Sequence, residues 1–363
     1  MRWCLVVVPL VSMLAACKDP DNPSTNGSEG ATTSTSDDEA PTETDTHAET
    51  DTETGEDMPA CPARTPAELM DCVDQARFEA DLEFVSAERV PGSPHWQAVQ
   101  DLCADRLTEL GYAVAREDYG TGINVVGVRP GTELPNEWVI VGGHYDHIPA
   151  CSGADDNGSG IAATLEVARI LADVPTPRTL VITCWDEEEL GLIGSAAQAQ
   201  AAVAAGQVIA GVFSLDSIGA ASSEPNTQVV PDGFDLLFPE QYGELEANEF
   251  RSDFLLWVSD DTMLPIGESL DTFADSIGLW TLGAGLDDVL KTAPLLADLR
   301  RSDHASFWDA DIPAMFLNDT GEFRYSAYHC QDGTDDSIDK VDLDFVIKVT
   351  KVAVAAAAVS LGM

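Results

Sequence analysis

Apolar and polar positions follow two spacings along residues 61–363. Apolar residues at helical intervals predict helices over 76–88, 95–111, 158–172, 195–205 and 341–361. Short apolar runs bounded by Gly, Pro or charged residues predict strands over 112–116, 123–128, 138–141, 178–185, 208–215 and 312–317. Strands that alternate with helices predict an α/β fold, with a mainly parallel twisted sheet and helices on both faces.

The stretch from about 220 to 300 does not follow either spacing. It is acidic and contains many Pro and Gly residues. We expect it to be irregular and to consist of insertions that border a cleft.

The first 17 residues have the pattern of an export signal. Arg2 is the only charged residue, and an apolar run continues to Ala16. About 14 apolar residues are too few to cross a bilayer, so we expect a removed signal rather than a membrane span. Leu14 to Cys17 resembles a lipobox, in which Cys17 would carry the lipid; the alternative is an ordinary signal peptide with a chance cysteine. The sequence therefore predicts an exported protein anchored by lipid to a bacterial cell envelope, at the outer membrane or the cell surface.

Residues 18–60 are mostly Ser, Thr, Glu, Asp, Pro and Gly, which predicts a disordered acidic tether. The whole chain has 64 acidic and 18 basic residues, a net charge of −46, and most of that charge falls within 61–363. Phosphate would be repelled by such a protein, so nucleic acid is excluded as a partner, and membrane contact is expected only through the lipid anchor.

Six cysteines lie within residues 61–363, and an even number in an exported protein permits disulfides. Cys151 and Cys330 flank two candidate site loops and are therefore our choice for a pair, although sequence alone does not determine the connectivity. Cys184 sits inside an apolar run, which is compatible with a free thiol.

Five short segments contain residues that can bind a metal ion. They provide two imidazoles, three carboxylates and a spare glutamate: His144, Asp156, Glu188 with Glu189, Asp216 and His304. Two zinc ions need about three protein ligands each, with one carboxylate shared and a position left open for water. The spare glutamate is what such a site needs to accept a proton from that water. The set predicts metal-assisted hydrolysis.

Most of these residues follow predicted strands. His144, Glu188, Glu189 and Asp216 each come just after a strand, and His304 lies in a loop just before one. Open parallel sheets place their ligand sites at the carboxyl edge of the strands, so the segments should converge there.

Each residue also has an ordinary structural interpretation. His144 and Asp146 could be a loop histidine and a surface acid, and the acids before Gly158 could simply favour the start of a helix. Three consecutive glutamates at a strand end are costly unless cations offset their charge. The spacing to the glycines that follow favours Asp156 over Asp155 as the ligand.

Taken together, these motifs resemble the co-catalytic di-zinc aminopeptidases, whose wider family includes glutamate carboxypeptidases and glutaminyl cyclases. The resemblance covers about residues 75–360 and implies that 61–363 is one zinc peptidase domain with that family's fold. It implies two Zn²⁺ per chain, held by His144, Asp156, Glu189, Asp216 and His304. Asp156 would bridge the ions and precede a cis peptide bond.

The resemblance also implies the remaining roles. Glu188 would be the general base, and Asp146 would orient His144. Tyr328 and His329 belong to an element that lies near the substrate pocket in the family. Cys330 replaces the usual threonine after that histidine, which supports its pairing with Cys151.

The expected function is therefore a metal-dependent exopeptidase, an aminopeptidase that acts as a monomer on the N-termini of peptides or proteins. Two alternatives remain open at this point. One is glutaminyl cyclisation at a single zinc, which would not need all five ligands. The other is a surface lipoprotein that uses the fold only to bind.

Overall fold

A computed structural model describes residues 61–363. The predicted signal peptide at 1–17, the lipidation site Cys17 and the tether at 18–60 lie outside the described residues.

The described part of the chain contains one mixed sheet of eight strands. In chain order these are β1 Ala113–Asp118, β2 Ile123–Arg129, β3 Leu134–His144, β4 Arg178–Trp185, β5 Val208–Leu215, β6 Phe254–Asp260, β7 Trp280–Leu286 and β8 Ala314–Asn318. Their spatial order is β1-β2-β4-β3-β5-β8-β6-β7. The central run β4-β3-β5-β8 is parallel, β1, β2 and β4 pair antiparallel, and β6 is antiparallel to β8. The predicted α/β class with a mainly parallel centre is confirmed.

The α-helices are α1 Pro66–Leu69, α2 Gln75–Val85, α3 Pro94–Glu109, α4 Gly160–Leu171, α5 Ile193–Ala205, α6 Phe234–Leu237, α7 Pro239–Ala247, α8 Leu264–Ile277, α9 His304–Trp308 and α10 Leu343–Ser360. Side-chain caps mark several of their starts: Asp74 accepts from two amides of α2, Ser93 caps α3, and Asp342 caps α10. Within the described range, no helix is both long and apolar enough to cross a membrane.

Helices cover both faces because successive residues of the central strands point to opposite sides. Val139 and Val141 of β3 belong to the larger core, together with residues of α4 and α10. Ile140 lies between them in sequence and belongs to a second core with residues of α5 and α9. This double burial explains why these strands are continuous apolar runs rather than alternating ones.

Most of the segment from 220 to 300 is regular, so the prediction that it is irregular is wrong, although residues 220–233 contain no helix or strand and the segment borders a cleft, as expected. It forms α6, α7, β6, α8 and β7, which extend the sheet beyond β8. Gly283 and Gly285 within β7 resembled turn residues in the sequence. In the structure Gly283 makes room for the indole of Trp257, whose Nε1 donates to Asp271 at 2.6 Å.

Three disulfides link the described cysteines: Cys61–Cys72, Cys103–Cys184 and Cys151–Cys330. The structure thus pairs Cys151 with Cys330, as we expected. It contradicts a free thiol at Cys184, because Cys103 on α3 packs against β4, and a pattern of apolar residues does not reveal such a contact.

The sheet brings the candidate segments to one edge. His144 is the last residue of β3, Asp186 to Glu189 follow β4, and Asp216 follows β5. Because β4, β3 and β5 are parallel neighbours, their carboxyl ends meet with β3 in the middle.

A substitution at Gly283 tests the packing of β6 and β7, the strands that extend the sheet beyond β8. A β-carbon at Gly283 would overlap the indole of Trp257. We expect Gly283→Ala to lower the free energy of unfolding by about 1–3 kcal/mol, because overpacking forces the ring or the strand to shift. The urea midpoint measures this. Gly243 in α7 has open space around its α-carbon, so Gly243→Ala should instead raise stability by about 0.5–1 kcal/mol. Equal effects of the two changes would contradict this packing.

Candidate metal centre

The first cluster joins residues from three loops at the carboxyl edge. Nε2 of His144 lies 3.2 Å from Oδ1 of Asp156 and 3.5 Å from Oδ1 of Asp216. All three residues are buried, and their ligand atoms lie within 4.8 Å of one another. One imidazole and two carboxylates at this spacing can surround one divalent cation.

A second cluster shares Asp156. Its other oxygen, Oδ2, lies 3.1 Å from Nε2 of His329, and that nitrogen is 3.4 Å from Oε2 of Glu189. Nδ1 of His147 lies 2.8 Å from Oε1 of Glu189, so a second imidazole faces the same carboxylate. Each oxygen of Asp156 therefore faces a different cluster, which is the geometry of a bridging carboxylate.

Asp146 links the loops after β3 and β4. Its two carboxylate oxygens accept from the backbone amides of Glu188, at 3.0 Å, and Glu189, at 3.2 Å. Nδ1 of His144 lies 3.2 Å from the Asp146 carbonyl oxygen and 3.5 Å from its carboxylate. A proton on Nδ1 leaves the lone pair of Nε2 facing Asp156 and Asp216. Asp146 thus orients His144 and also fixes the two glutamates.

Buried polar groups hold the loop that carries Asp156. The carboxylate of Asp336 accepts from the amides of Asp155 and Asp156 at 3.0–3.1 Å. Arg89 is fully buried and donates to the carbonyls of Gly153, at 2.8 Å, and Asp156, at 3.2 Å. The Asp156–Asn157 peptide bond is cis, as the resemblance implied. Sequence reasoning missed both Arg89 and Asp336, since neither residue lies in a recognised ligand segment.

Glu188 projects among other charged groups. Burial raises the pKa of Glu188 well above its ordinary value, against the opposing effect of His144. For His144, burial disfavours the charged form, but Asp216 and Glu188 outweigh it and raise the pKa. The raised pKa of His144 reflects the carboxylates around it, whereas the raised pKa of Glu188 reflects mainly its burial.

His304 does not join either cluster, and its predicted role as a ligand is not supported by this geometry. It begins α9, and its Nε2 donates to the carbonyl of Leu299 at 2.9 Å. Its ring stacks on Phe316 and meets Trp308 edge-on, with centroids 4.4 and 4.5 Å apart. Burial lowers the pKa of His304 to about 3. His304 is therefore a buried core residue.

His329 occupies the place that was expected for His304. Sequence reasoning placed it, with Tyr328, at the substrate pocket. Its ring does stack on Tyr328, with centroids 4.1 Å apart, but its Nε2 faces Asp156 and Glu189. The available signal was the short Tyr-His element itself. No strand precedes that element directly, so the rule of strand ends did not select it.

The residues present fit a pair of zinc ions. Each cluster supplies imidazole and carboxylate donors, which suit zinc and related divalent metals. His147 Nδ1 and Glu189 Oε1 are buried and lie 2.8 Å apart without hydrogen-bond geometry, and His147 Nε2 is buried with no hydrogen-bond partner. Buried acceptors that lack donors are costly, and a cation would satisfy them.

An apolar cleft opens beside the first cluster. It encloses about 1050 Å³, part of it open to solvent, and reaches from Asp216 and Tyr328 to the face of β6 and β7. Its wall is largely apolar and includes Phe234, Phe238, Leu245, Phe254, Leu256, Val258 and Leu282. The added strands therefore form one wall of the space next to the metal ligands.

Comparison with known proteins finds peptidases among the similar sequences and structures. Residues 124–252 match the model of peptidase family M28. A probable zinc metalloprotease of Pyricularia oryzae is 29% identical over 256 residues, which are 64% of this chain and 49% of that protein. The aminopeptidase YwaD of Bacillus subtilis is 40% identical over 76 residues, which cover 21% of this chain and 17% of that protein.

Solved structures show the same fold. The LapA aminopeptidase of Legionella pneumophila superposes with a TM-score of 0.62 at 16% identity, over 80% of this chain and 73% of that one. The curated relatives are longer, and this chain spans about half of the Pyricularia protein and less of YwaD. The matched segment contains His144, Asp156, Glu188, Glu189 and Asp216, so the likeness to peptidase family M28 includes most of the candidate site.

Proposed function

We propose that this chain is a two-zinc aminopeptidase. The observation that carries the proposal is Asp156, whose two oxygens face two separate sets of ligands. One zinc ion would be held by His144, Asp156 and Asp216, and the other by Asp156, Glu189 and His329. When bound, zinc lowers the pKa of water and polarises the scissile carbonyl.

Glu188 is the proposed general base. It lies in the loop after β4, its amide is fixed by Asp146, and it is not part of either ligand set. It takes a proton from the attacking water and passes it to the leaving amine. Asp146 is a positioning residue that keeps Glu188 and Glu189 in register.

The lining of the cleft favours recognition of an amino end. Arg301 is the only cationic side chain among the described residues that line it, and it is paired with Glu322 and also donates to Tyr328 at 3.2 Å. A substrate carboxylate would lack a free cationic partner there. A protonated amine, in contrast, would enter a site with an excess of carboxylates.

The apolar wall indicates the preferred side chain. Aromatic and branched residues line a space next to Asp216, so burial of a large apolar N-terminal side chain would contribute binding energy. Two complete ligand sets argue against cyclisation at a single zinc and against a module that only binds.

We also propose that the protein is exported. Three disulfides within the described residues suit an oxidising compartment, which agrees with the export signal in the sequence. Radiolabelled fatty acid incorporated into the parent but not into Cys17→Ser would support the lipid anchor.

Glu188→Gln should separate catalysis from metal binding. The amide keeps the size of the side chain but cannot accept the proton, so kcat should fall roughly 100- to 10,000-fold while zinc content stays at two per chain. Glu187→Gln is the matched control, because Glu187 accepts from Thr121 and stands outside both clusters. Parent-like turnover by Glu188→Gln would refute its role as the base.

Substitutions of His329 and His304 should have opposite effects on zinc content. His329→Ala should reduce the tightly held zinc from two ions to one, because the second set loses the imidazole that faces both Asp156 and Glu189. His304→Gln should retain two, because the ring of His304 contacts Leu299, Trp308 and Phe316 instead. The number of zinc ions per chain that remain after dialysis, measured by metal analysis, shows which histidine is a ligand. Loss of zinc from His304→Gln alone would restore the original assignment.

Substrate preference tests both the cleft and the direction of cleavage. Leucyl and phenylalanyl amides should exceed alanyl amide by about tenfold or more in kcat/KM, since each buried methylene contributes about 0.8 kcal/mol. N-acetyl-leucyl amide, which has no free amine, should not be cleaved. Equal rates for acetylated and free substrates would exclude an aminopeptidase.

A further inference from the structure

The disulfide Cys151–Cys330 joins two loops of the metal centre that come from distant parts of the chain. Cys151 lies between His147 and Asp156, and Cys330 directly follows His329. The sulfur bond therefore connects the loop of the bridging carboxylate with the loop of the last imidazole. The sequence separation is 179 residues.

Hydrogen bonds run alongside the disulfide. The amide and hydroxyl of Ser152 donate to Asp335 at 2.9 and 2.8 Å. The amides of Asp155 and Asp156 donate to Asp336. The segment 328–336 is thus held against the loop 151–156 at several successive points.

The backbone next to His329 is strained. His329, Cys330 and Asp332 have φ values of 52°, 51° and 54°, in the left-handed region that non-glycine residues rarely adopt. Such residues cost on the order of 1 kcal/mol or more each and persist only where the surroundings hold them. Without a firm attachment, this segment would relax and move the imidazole of His329.

The two metal positions differ in how their ligands are supported. His144 ends β3 and Asp216 follows β5, so the register of the sheet fixes two of the three residues of the first set, and the third, Asp156, is also held by the buried Arg89. His329 does not directly follow a strand, so its position depends on the contacts of its own loop. A change at Cys330 should therefore act on the second set and leave the first intact.

We propose that the Cys151–Cys330 disulfide is a positioning element for His329 and sets the affinity of the metal position formed by Asp156, Glu189 and His329. This inference rests on the two-metal centre proposed above. The disulfide does not touch the reacting atoms and acts only through the imidazole beside it.

The test is a zinc titration of the folded, metal-free protein against a chromophoric chelator. The variant is Cys151→Ser/Cys330→Ser, and the control is Cys61→Ser/Cys72→Ser, which removes a disulfide near α1. The parent should show two tight positions. In the variant one position should weaken roughly 10- to 100-fold, as is typical when the support of a ligand is lost, and the other should stay unchanged.

The control separates positioning from general stability. Cys61→Ser/Cys72→Ser should keep both affinities even if its melting temperature falls. Equal weakening of both positions in the variant, or no weakening of either, would overturn the inference. A parent that binds fewer than two zinc ions would instead overturn the two-metal function itself.

A second measurement applies if the serine variant does not fold. The folded parent is treated with a water-soluble phosphine that cleaves accessible disulfides, the Cys61→Ser/Cys72→Ser protein is treated in the same way, and both are titrated. Mass spectrometry first confirms that Cys151–Cys330 has been cleaved. Loss of zinc affinity at one position in both proteins then supports the inference, and retention of affinity at both positions contradicts it.

Discussion

The site depends on one electrostatic constraint: several carboxylates are buried side by side, and only cations or protons can offset their charge. Asp156, Glu189 and Asp216 converge with Glu188 at the edge of the sheet. Charges of one sign taken out of water are costly unless they are paired. The raised pKa values of Glu188 and His144 record that cost. Divalent cations would remove it, which links the stability of this edge to its chemistry.

The fold stabilises the loops that carry these carboxylates through backbone amides and carbonyls rather than through many basic side chains. Asp146 is held by two amides, and Asp336 holds the amides next to the bridging carboxylate. Arg89 is the fully buried cation of this region, and it binds carbonyls of the Asp156 loop instead of pairing directly with an acid. These contacts fix the positions and orientations of the ligand residues.

The two halves of the sheet serve different purposes. The strands β4, β3 and β5 place charged residues at their carboxyl ends, whereas β6 and β7 add an apolar wall beside them. A polar centre next to an apolar cleft is suited to a substrate with a charged end and an apolar side chain. The two ligand sets are held differently. His144 and Asp216 of the first set lie at strand ends, whereas His329 of the second set lies in a loop with strained backbone.

The sequence by itself determined the α/β class, the central strands and most of the site, since buried parallel strands are continuous apolar runs and their ends must meet at one edge. That logic located His144, Glu188, Glu189 and Asp216, whereas Asp156 and Asp146 were indicated by their spacing to the following glycines and to His144. Tertiary structure decided what local pattern does not encode. It placed His304 in the core and His329 in the cluster, because Phe316 and Trp308 surround one ring while a distant loop carries the other. It also paired Cys184 with Cys103 and made β7 from a glycine-rich segment, since both depend on neighbours far away in the chain.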